Sequence, residues 1–317
     1  MTMRSLVAVA CLAIVHVPMA AQQKTESGIP TMPGRLVATD AGHKLHVWCT
    51  GEGSPTVILL TGGGSFSIDW ADVQPAIAPN TRVCSYDRAG YAWSDPGPAP
   101  RGLGTSAAEL HQVLARAGVR PPYLLVGSSW GGLIARVFAH AHSDEVAGVV
   151  LVDAPTWGTR SSGTAAVSND LLMDLDPRAD EEPTAPPRLP SEWQAARAWA
   201  KSRLPEQVLT LEYTDLKEPD LTISATTAGN RVSLGDIPLV VISGGRVSWD
   251  AATRANSQSY AAAQREHIAD QARLTGLSRN SKFIVARASF HAVQFYEPEV
   301  ITNAVLQMLG SARAGGK

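Results

Sequence analysis

The segment YLLVGSSWGGLIARVFAHA, residues 123–141, passes from an apolar strand pattern to a helical pattern with almost no connecting residues. Ser129 lies at this junction, and glycines stand two residues before it and two residues after it, at Gly127 and Gly131. A turn this tight needs small residues at those positions, because larger side chains would collide where the strand meets the helix. The segment therefore predicts a strained strand-to-helix turn that exposes one serine hydroxyl. The alternative interpretation of the same residues is a glycine-rich turn with solvated serines.

Strand-like and helix-like segments alternate along most of the chain. Continuous apolar runs lie at 55–64, 146–155 and 236–245, and a segment with helical spacing lies at 105–118. Continuous apolar strands are typical of strands buried on both faces. Their alternation with helices predicts an α/β fold with a mostly parallel sheet and helices on both faces.

The predicted domain boundaries follow from where this pattern starts and stops. The regular pattern occupies residues 35–155 and 236–312, which form the predicted core. Residues 156–235 interrupt it with a stretch rich in Ser, Thr, Pro and Asp and then a helical stretch, which predicts an inserted helical lid. Residues 1–21 combine a positive charge, a short apolar run and small residues before a polar break, which is typical of a secretory signal. Residues 22–34 are then a linker, and the mature protein is expected to be exported.

The composition argues against several classes of partner. The net charge is −2, and no basic stripe predicts nucleic-acid binding. No run of about 18 apolar residues follows the signal, so no membrane span is predicted. His140 and His142 form an H-x-H pattern, which at a helix end is more often solvated than metal-binding. We predict a small-molecule substrate, with no metal and no cofactor, and the sequence carries no signal for an oligomeric state.

Six stretches, in this order, resemble the α/β-hydrolase fold family: LLTGGGS, YDRAGYAWSD, LVGSSWGG, VVLVDAP, PLVVISGG and ASFHAVQFYEPEVI. The resemblance covers residues 35–310 and implies the family's chain order of serine, acid and histidine. It implies that Ser129 is the nucleophile, and a serine hydroxyl needs a base to take its proton as it attacks. The base implied is His291, in the loop after the last strand.

The resemblance leaves two positions for the acid. Many members place it after the strand that follows the lid, where the first carboxylate is Asp250. Others place it one strand earlier, which here is Asp153. A carboxylate at the carboxyl edge of a buried strand is costly unless it has a partner, which favours Asp153.

The family also implies an oxyanion hole made of two backbone N–H groups. One belongs to the residue after the nucleophile, Trp130, and the other to the glycine loop after the third strand, by position Gly63. The His-Gly that usually opens this loop reads Thr61-Gly62, so the loop departs from the common pattern.

Two cysteines, Cys49 and Cys84, remain beyond the predicted signal. In an exported protein they are compatible with one disulfide or with two buried thiols. The fold implied by the resemblance places the end of the second strand beside the start of the fourth, and this implies that the two cysteines are joined.

A serine nucleophile implies acyl transfer to water, whereas the epoxide hydrolases and dehalogenases of this fold use an aspartate. We therefore expect an esterase or a lactonase. In the lid, Trp157, Trp193 and Trp199 are expected to line a pocket for bulky apolar groups, since tryptophans favour such ligands. The alternative is that they fasten the lid to the core.

Two other functions fit the same residues. GSSWGG resembles the nucleophile turn of proline iminopeptidases, and such an aminopeptidase would use acidic lid residues for the substrate amine, here Glu181, Glu182 and Glu192. A non-catalytic binding protein on this fold would have no reason to keep both Ser129 and His291. Four further histidines receive no role: His43, His46, His111 and His267.

Overall fold

A computed structural model describes residues 32–99, 101–156, 191–204, 208, 233–247 and 257–315. The predicted signal at 1–21, most of the linker and most of the predicted lid lie outside these residues. Eight strands of the described chain form one sheet in the order β1-β2-β4-β3-β5-β6-β7-β8. They are β1 (Arg35–Ala38), β2 (Lys44–Thr50), β3 (Thr56–Leu60), β4 (Val83–Tyr86), β5 (Tyr123–Ser128), β6 (Val146–Val152), β7 (Leu239–Gly244) and β8 (Ser281–Ala286).

The sheet is parallel except at one edge. Strands β1, β2 and β4 pair antiparallel, while every pairing from β4 across to β8 is parallel. Strands β3, β5 and β7 are buried along their whole length, as their continuous apolar runs predict. The predicted fold class is confirmed. Parallel strands bring their carboxyl ends to one edge, and the candidate site lies there.

Helices cover both faces of the sheet. The described α-helices are α1 (Gln74–Ile77), α2 (Leu103–Arg116), α3 (Trp130–Ala141), α4 (Ser191–Arg203), α5 (Ser257–Ala272), α6 (Val293–Tyr296) and α7 (Pro298–Gly315). Helix α2 buries Leu103, Ala107, Leu110 and Leu114 at helical spacing, and these residues share one core cluster with α3. A second cluster joins α1 and α7 to other strand side chains. The core therefore consists of two apolar layers separated by the sheet.

Helix α4, which falls in the predicted lid, packs on Trp48 of β2 and on the loops that follow β3 and β4. Trp193 is buried with its ring centroid 5.5 Å from that of Trp48, and Trp199 lies 5.4 Å from Trp93. These contacts are of the kind that fasten a lid to a core. Trp157 lies outside the described residues, so the pocket formed by the three tryptophans stays a prediction.

A polar contact accompanies these rings. Arg197 of α4 donates from Nε to Oδ1 of Asp69 at 2.8 Å, and the Asp69 side chain is almost fully buried. Asp69 belongs to a short 3-10 helix, Ser67–Trp70, that follows the loop after β3. A buried carboxylate that loses its cation is strongly destabilised. The ion pair therefore ties the position of α4 to the chain that leaves the glycine loop.

Cys49 and Cys84 face each other in the antiparallel pairing of β2 and β4 and are joined by a disulfide. The pairing implied by the family resemblance is thus confirmed. No helix in the described parts of the chain combines the length and the apolar character needed to cross a membrane.

Candidate active site

Ser129 occupies the turn between β5 and α3, in a backbone conformation that side chains rarely adopt. Its φ is 49° and its ψ is −121°. A Cβ on Gly127 would lie 2.5 Å from the carbonyl oxygen of Gly131, and one on Gly131 would lie 2.2 Å from that of Leu60. Only glycine fits at either position, as the sequence predicts. Strain of this kind persists only where the surrounding structure imposes it, and it is concentrated at functional sites.

Asp153 follows β6, the neighbouring strand, and also has a positive φ, of 44°. Its side chain is 2% exposed. Oδ2 accepts a hydrogen bond from Nδ1 of His291 at 2.6 Å, while Oδ1 accepts from the backbone N–H of Gly244 at 2.9 Å and from Nε2 of His267 at 2.8 Å. The structure thus brings together Asp153 and His291, which are 138 residues apart in sequence. Asp250 lies outside the described residues.

These hydrogen bonds decide the charge of the carboxyl group. Burial alone would raise the pKa of Asp153, but hydrogen bonds from His267 and His291, together with the charges of both rings, outweigh it and lower the pKa to about 2. Asp153 is therefore ionised at neutral pH. An ionised acceptor fixes the proton of His291 on Nδ1, so that Nε2 carries the lone pair that can act as a base. The His291 side chain is 58% exposed and accessible to a substrate.

The glycine loop after β3 lies directly against Ser129. A Cβ on Gly62 would lie 3.1 Å from Cβ of Ser129 and 3.7 Å from its Oγ. Beneath this loop Arg88, 2% exposed, donates from Nη1 to the carbonyl oxygen of Thr61 at 2.7 Å and from Nη2 to that of Gly62 at 3.0 Å. The N–H and C=O of a trans peptide point in opposite directions. The N–H of Gly63 therefore points away from Arg88.

A family model described as alpha/beta hydrolase fold matches residues 55–236, more than half of the chain. The chain belongs to this family. An uncharacterized protein of Schizosaccharomyces pombe is 33% identical over an alignment of 175 residues that covers 46% of this chain and 33% of that protein, so this alpha/beta hydrolase spans about a third of that relative's length.

Solved structures of low sequence identity share the fold. An esterase from Thermogutta terrifontis superposes with a TM-score of 0.60 and 19% identity over 88% of this chain and 98% of its own. An N-acyl homoserine lactone degrading enzyme superposes with a TM-score of 0.57 and 17% identity over 86% of this chain and 99% of its own. At these identities the likeness shows the architecture alone.

A buried cluster elsewhere in this hydrolase is formed by Ser67, His46 and Asp87. His46 Nδ1 lies 2.7 Å from Oδ2 of Asp87, which also accepts from Oγ of Ser67 at 3.0 Å. Oδ1 accepts from the Ser67 backbone N–H at 2.7 Å. His46 and Asp87 are completely buried, and so is Ser67, so no substrate can reach them. The cluster ties β2 and the end of β4 to the chain that follows the glycine loop.

Of the two histidines assigned to a solvated helix end, His140 is exposed, while His142 belongs to a separate cluster. His142 stacks on His111 with ring centroids 3.9 Å apart and planes 7° apart, and Nε2 of His111 lies 3.1 Å from Glu145. The nitrogen lone pairs lie in the ring planes, so two parallel planes at this separation do not direct them to one ion. The cluster lies at the amino end of β6, whereas Asp153 follows its carboxyl end.

Sequence reasoning missed Arg88 and His267. Arg88 lies in YDRAGYAWSD, a stretch that carries the family resemblance. Its position next to Asp87 was the one sequence feature that could have indicated a role for it. His267 had no comparable signal, because nothing in a helical stretch indicates which strand end a histidine reaches.

Proposed function

We propose that the protein is an exported serine hydrolase that cleaves carboxylic esters or lactones of bulky, apolar substrates. The observation that carries the proposal is the 2.6 Å hydrogen bond between Asp153 and His291, at the same sheet edge as the strained turn that holds Ser129. Solved esterase and lactone-degrading neighbours of the same fold are consistent with this chemistry.

In the proposed reaction Nε2 of His291 takes the proton of Ser129 Oγ as the oxygen attacks the ester carbonyl carbon. The carbonyl oxygen becomes an oxyanion, and the backbone N–H groups of Gly63 and Trp130 stabilise it. The C–O bond to the leaving group then breaks, and His291 returns the proton to the departing oxygen. Water repeats the sequence on the acyl-enzyme and releases the acid. Asp153 stabilises the histidine while it carries the extra proton.

Export is the second part of the proposal. The disulfide between Cys49 and Cys84 supports an oxidising compartment, because such bonds are rare in reducing ones. The signal pattern of residues 1–21 supports it from the sequence.

The two alternatives to ester hydrolysis are an aminopeptidase and a non-catalytic binding protein. An aminopeptidase would need acidic lid side chains; Glu181, Glu182 and the side chain of Glu192 lie outside the described part of the chain. A non-catalytic binding protein is disfavoured, because the strained turn at Ser129 is a costly feature with no use in a binder.

The test is a fluorophosphonate probe followed by a substrate panel of p-nitrophenyl esters, lactones and aminoacyl anilides. The probe should label wild-type protein on Ser129, and Ser129→Ala should lose both labelling and hydrolysis. Ser128→Ala is the matched control: Ser128 is buried next to the nucleophile and donates to Gln294 at 3.4 Å, so its loss should leave labelling intact. No labelling of wild-type protein would refute the proposal, and turnover of anilides alone would favour the aminopeptidase.

A further inference from the structure

His267 lies on helix α5 and reaches the carboxylate that His291 uses. Its Nε2 is 2.8 Å from Oδ1 of Asp153, the oxygen opposite the one that bonds His291. Asp153 therefore holds two imidazole rings, one on each oxygen. Only one of them is needed for the proposed proton transfer, so the second requires an explanation.

Helix α5 presents a polar stripe to the ends of β6 and β7. Gln264, His267 and Gln271 are spaced three and four residues apart, which places them on one side of the helix. Gln264 donates to the carbonyl oxygen of Gly245, and Gln271 donates to that of Ala154 at 2.9 Å. Both glutamines are buried. They fix the helix on either side of Asp153, and His267 lies between them.

The carboxylate of Asp153 has few other restraints. Apart from the two histidines, the hydrogen bond described to it comes from the N–H of Gly244, which also goes to Oδ1. With one donor on each oxygen the carboxylate rotates more freely about the bond to its Cβ, since such torsions are broad. A second donor on Oδ1 restricts that rotation, and Oδ2 then stays directed at Nδ1 of His291.

We propose that His267 is a positioning residue of the hydrolase, whose Nε2–H fixes Oδ1 of Asp153 so that Oδ2 remains aligned with His291. The inference rests on the proposed function. His267 does not touch the reacting atoms and acts through Asp153. Its side chain is 28% exposed, so the ring reaches solvent while it holds the buried carboxylate.

Removal of this donor has a predictable effect on His291. The charged groups that act on Asp153 are His267 and His291, and the other polar residues of α5 at this end, Gln264 and Gln271, are uncharged. Without His267 the carboxylate rotates more freely, so Oδ2 is no longer held in line with Nδ1 of His291 and stabilises the protonated ring less. The acid limb of the kcat/KM profile therefore moves to lower pH.

The experiment compares His267→Leu with His267→Gln, whose amide N–H lies at nearly the same reach as Nε2. His267→Leu should lower kcat for an active p-nitrophenyl ester by about ten- to a hundredfold, the range for losing a hydrogen bond to a charged group, with KM nearly unchanged. It should also move the acid limb to lower pH. His267→Gln should restore kcat to within about threefold of wild type, because it keeps the donor.

Tyr123→Phe is the matched control. It removes a buried hydrogen bond, 2.9 Å from the Tyr123 hydroxyl to the carbonyl oxygen of Val119, at the amino end of β5 and away from Asp153. Its melting temperature should fall, but its acid limb should coincide with that of wild type. Wild-type kcat and acid limb in His267→Leu would overturn the proposal, and so would a loss in His267→Gln as large as that in His267→Leu.

A second readout does not depend on turnover. A proton shared between His291 Nδ1 and a carboxylate gives a low-field proton resonance, which Asp153→Asn should abolish. His267→Leu should shift this resonance and His267→Gln should not. If wild-type protein is not labelled by a fluorophosphonate, the proposed function fails while the resonance still tests the role of His267. An unshifted resonance in His267→Leu overturns that role.

Discussion

Arg88 should determine whether the glycine loop can stabilise an oxyanion. Replacement by Met keeps an unbranched side chain of related length but removes both hydrogen bonds to the carbonyl oxygens of Thr61 and Gly62, of 2.7 and 3.0 Å. Each buried carbonyl left without a donor costs about 1–3 kcal/mol. The loop can avoid this cost by rotating its peptides, and the N–H of Gly63 then turns away from the position of the oxyanion.

The loss of one oxyanion donor lowers kcat by about 10²–10³-fold, and this is the effect that we expect for Arg88→Met. Arg88→Lys keeps the charge but offers one compact donor group in place of a planar fork, so its effect should be intermediate. The affinity for an arylboronic acid, which forms a tetrahedral adduct on Ser129, should fall in parallel with kcat. KM for the ester should change little, because the ground-state carbonyl depends less on the oxyanion donors.

Arg101→Met is the matched control for loss of a buried arginine. Arg101 is also buried and donates twice to Glu109, at 2.8 and 2.6 Å, without contacting the glycine loop. It should lower the melting temperature and leave boronate affinity unchanged. The reasoning would be refuted if Arg88→Met also lowered only the melting temperature while kcat and boronate affinity remained at wild-type values.

Four further predictions follow from the site, the disulfide and the lid. Asp153→Asn should lower kcat by about 10⁴-fold, because an amide favours the wrong tautomer of the histidine, whereas Asp250→Asn should have little effect; the reverse result would move the acid to the later position. The pKa of Asp153 is lowered from 3.8 to about 2, so its ionisation stabilises the fold above about pH 4, and that contribution of about 2 kcal/mol is lost as the pH falls through 2. The melting temperature of wild type should therefore fall more steeply over this pH range than that of Asp153→Asn. An equal fall in the two proteins would contradict the lowered pKa of Asp153. Replacing Cys49 and Cys84 with serine should lower the free energy of unfolding in urea by about 2–4 kcal/mol, since the bond closes a loop of 35 residues; two free thiols in unreduced exported protein would show that the bond is absent. Trp199→Ala should raise KM for large aromatic esters more than for acetate esters, whereas a uniform loss with a lower melting temperature would mean that this residue only fastens the lid.

The sequence was sufficient for features that depend on local pattern. The continuous apolar runs predicted the parallel strands, and the glycines around Ser129 predicted its strained turn, because both depend on residues near in the chain. The family resemblance added the pairing of Cys49 with Cys84. These features needed no knowledge of how helices dock.

Contacts made across the fold could not be predicted in the same way. His267 reaches Asp153 from 114 residues away, and this contact depends on the angle at which α5 meets the sheet. His46 lies in a segment with the alternation of a strand. This pattern does not distinguish a solvated ring from a buried one that is paired with Asp87. Arg88 binds the carbonyl oxygens of a loop 26 and 27 residues away. Because every residue has a backbone carbonyl, the sequence does not indicate which ones accept a hydrogen bond.

The two positive-φ turns of the site also share a hydrogen bond. Ser129 and Asp153 have φ values of 49° and 44°, and the N–H of Ser129 donates to the carbonyl oxygen of Val152, the residue before Asp153, at 2.9 Å. Each such conformation costs about 1–3 kcal/mol in a residue with a Cβ, and glycine relieves it. Directed evolution for heat resistance, run without an activity screen, should therefore enrich glycine at Ser129, whereas at Asp153 the stabilisation by the ionised carboxylate offsets the relief of strain. The stabilised progeny would be inactive, so thermostability campaigns on this scaffold must select for turnover in every round.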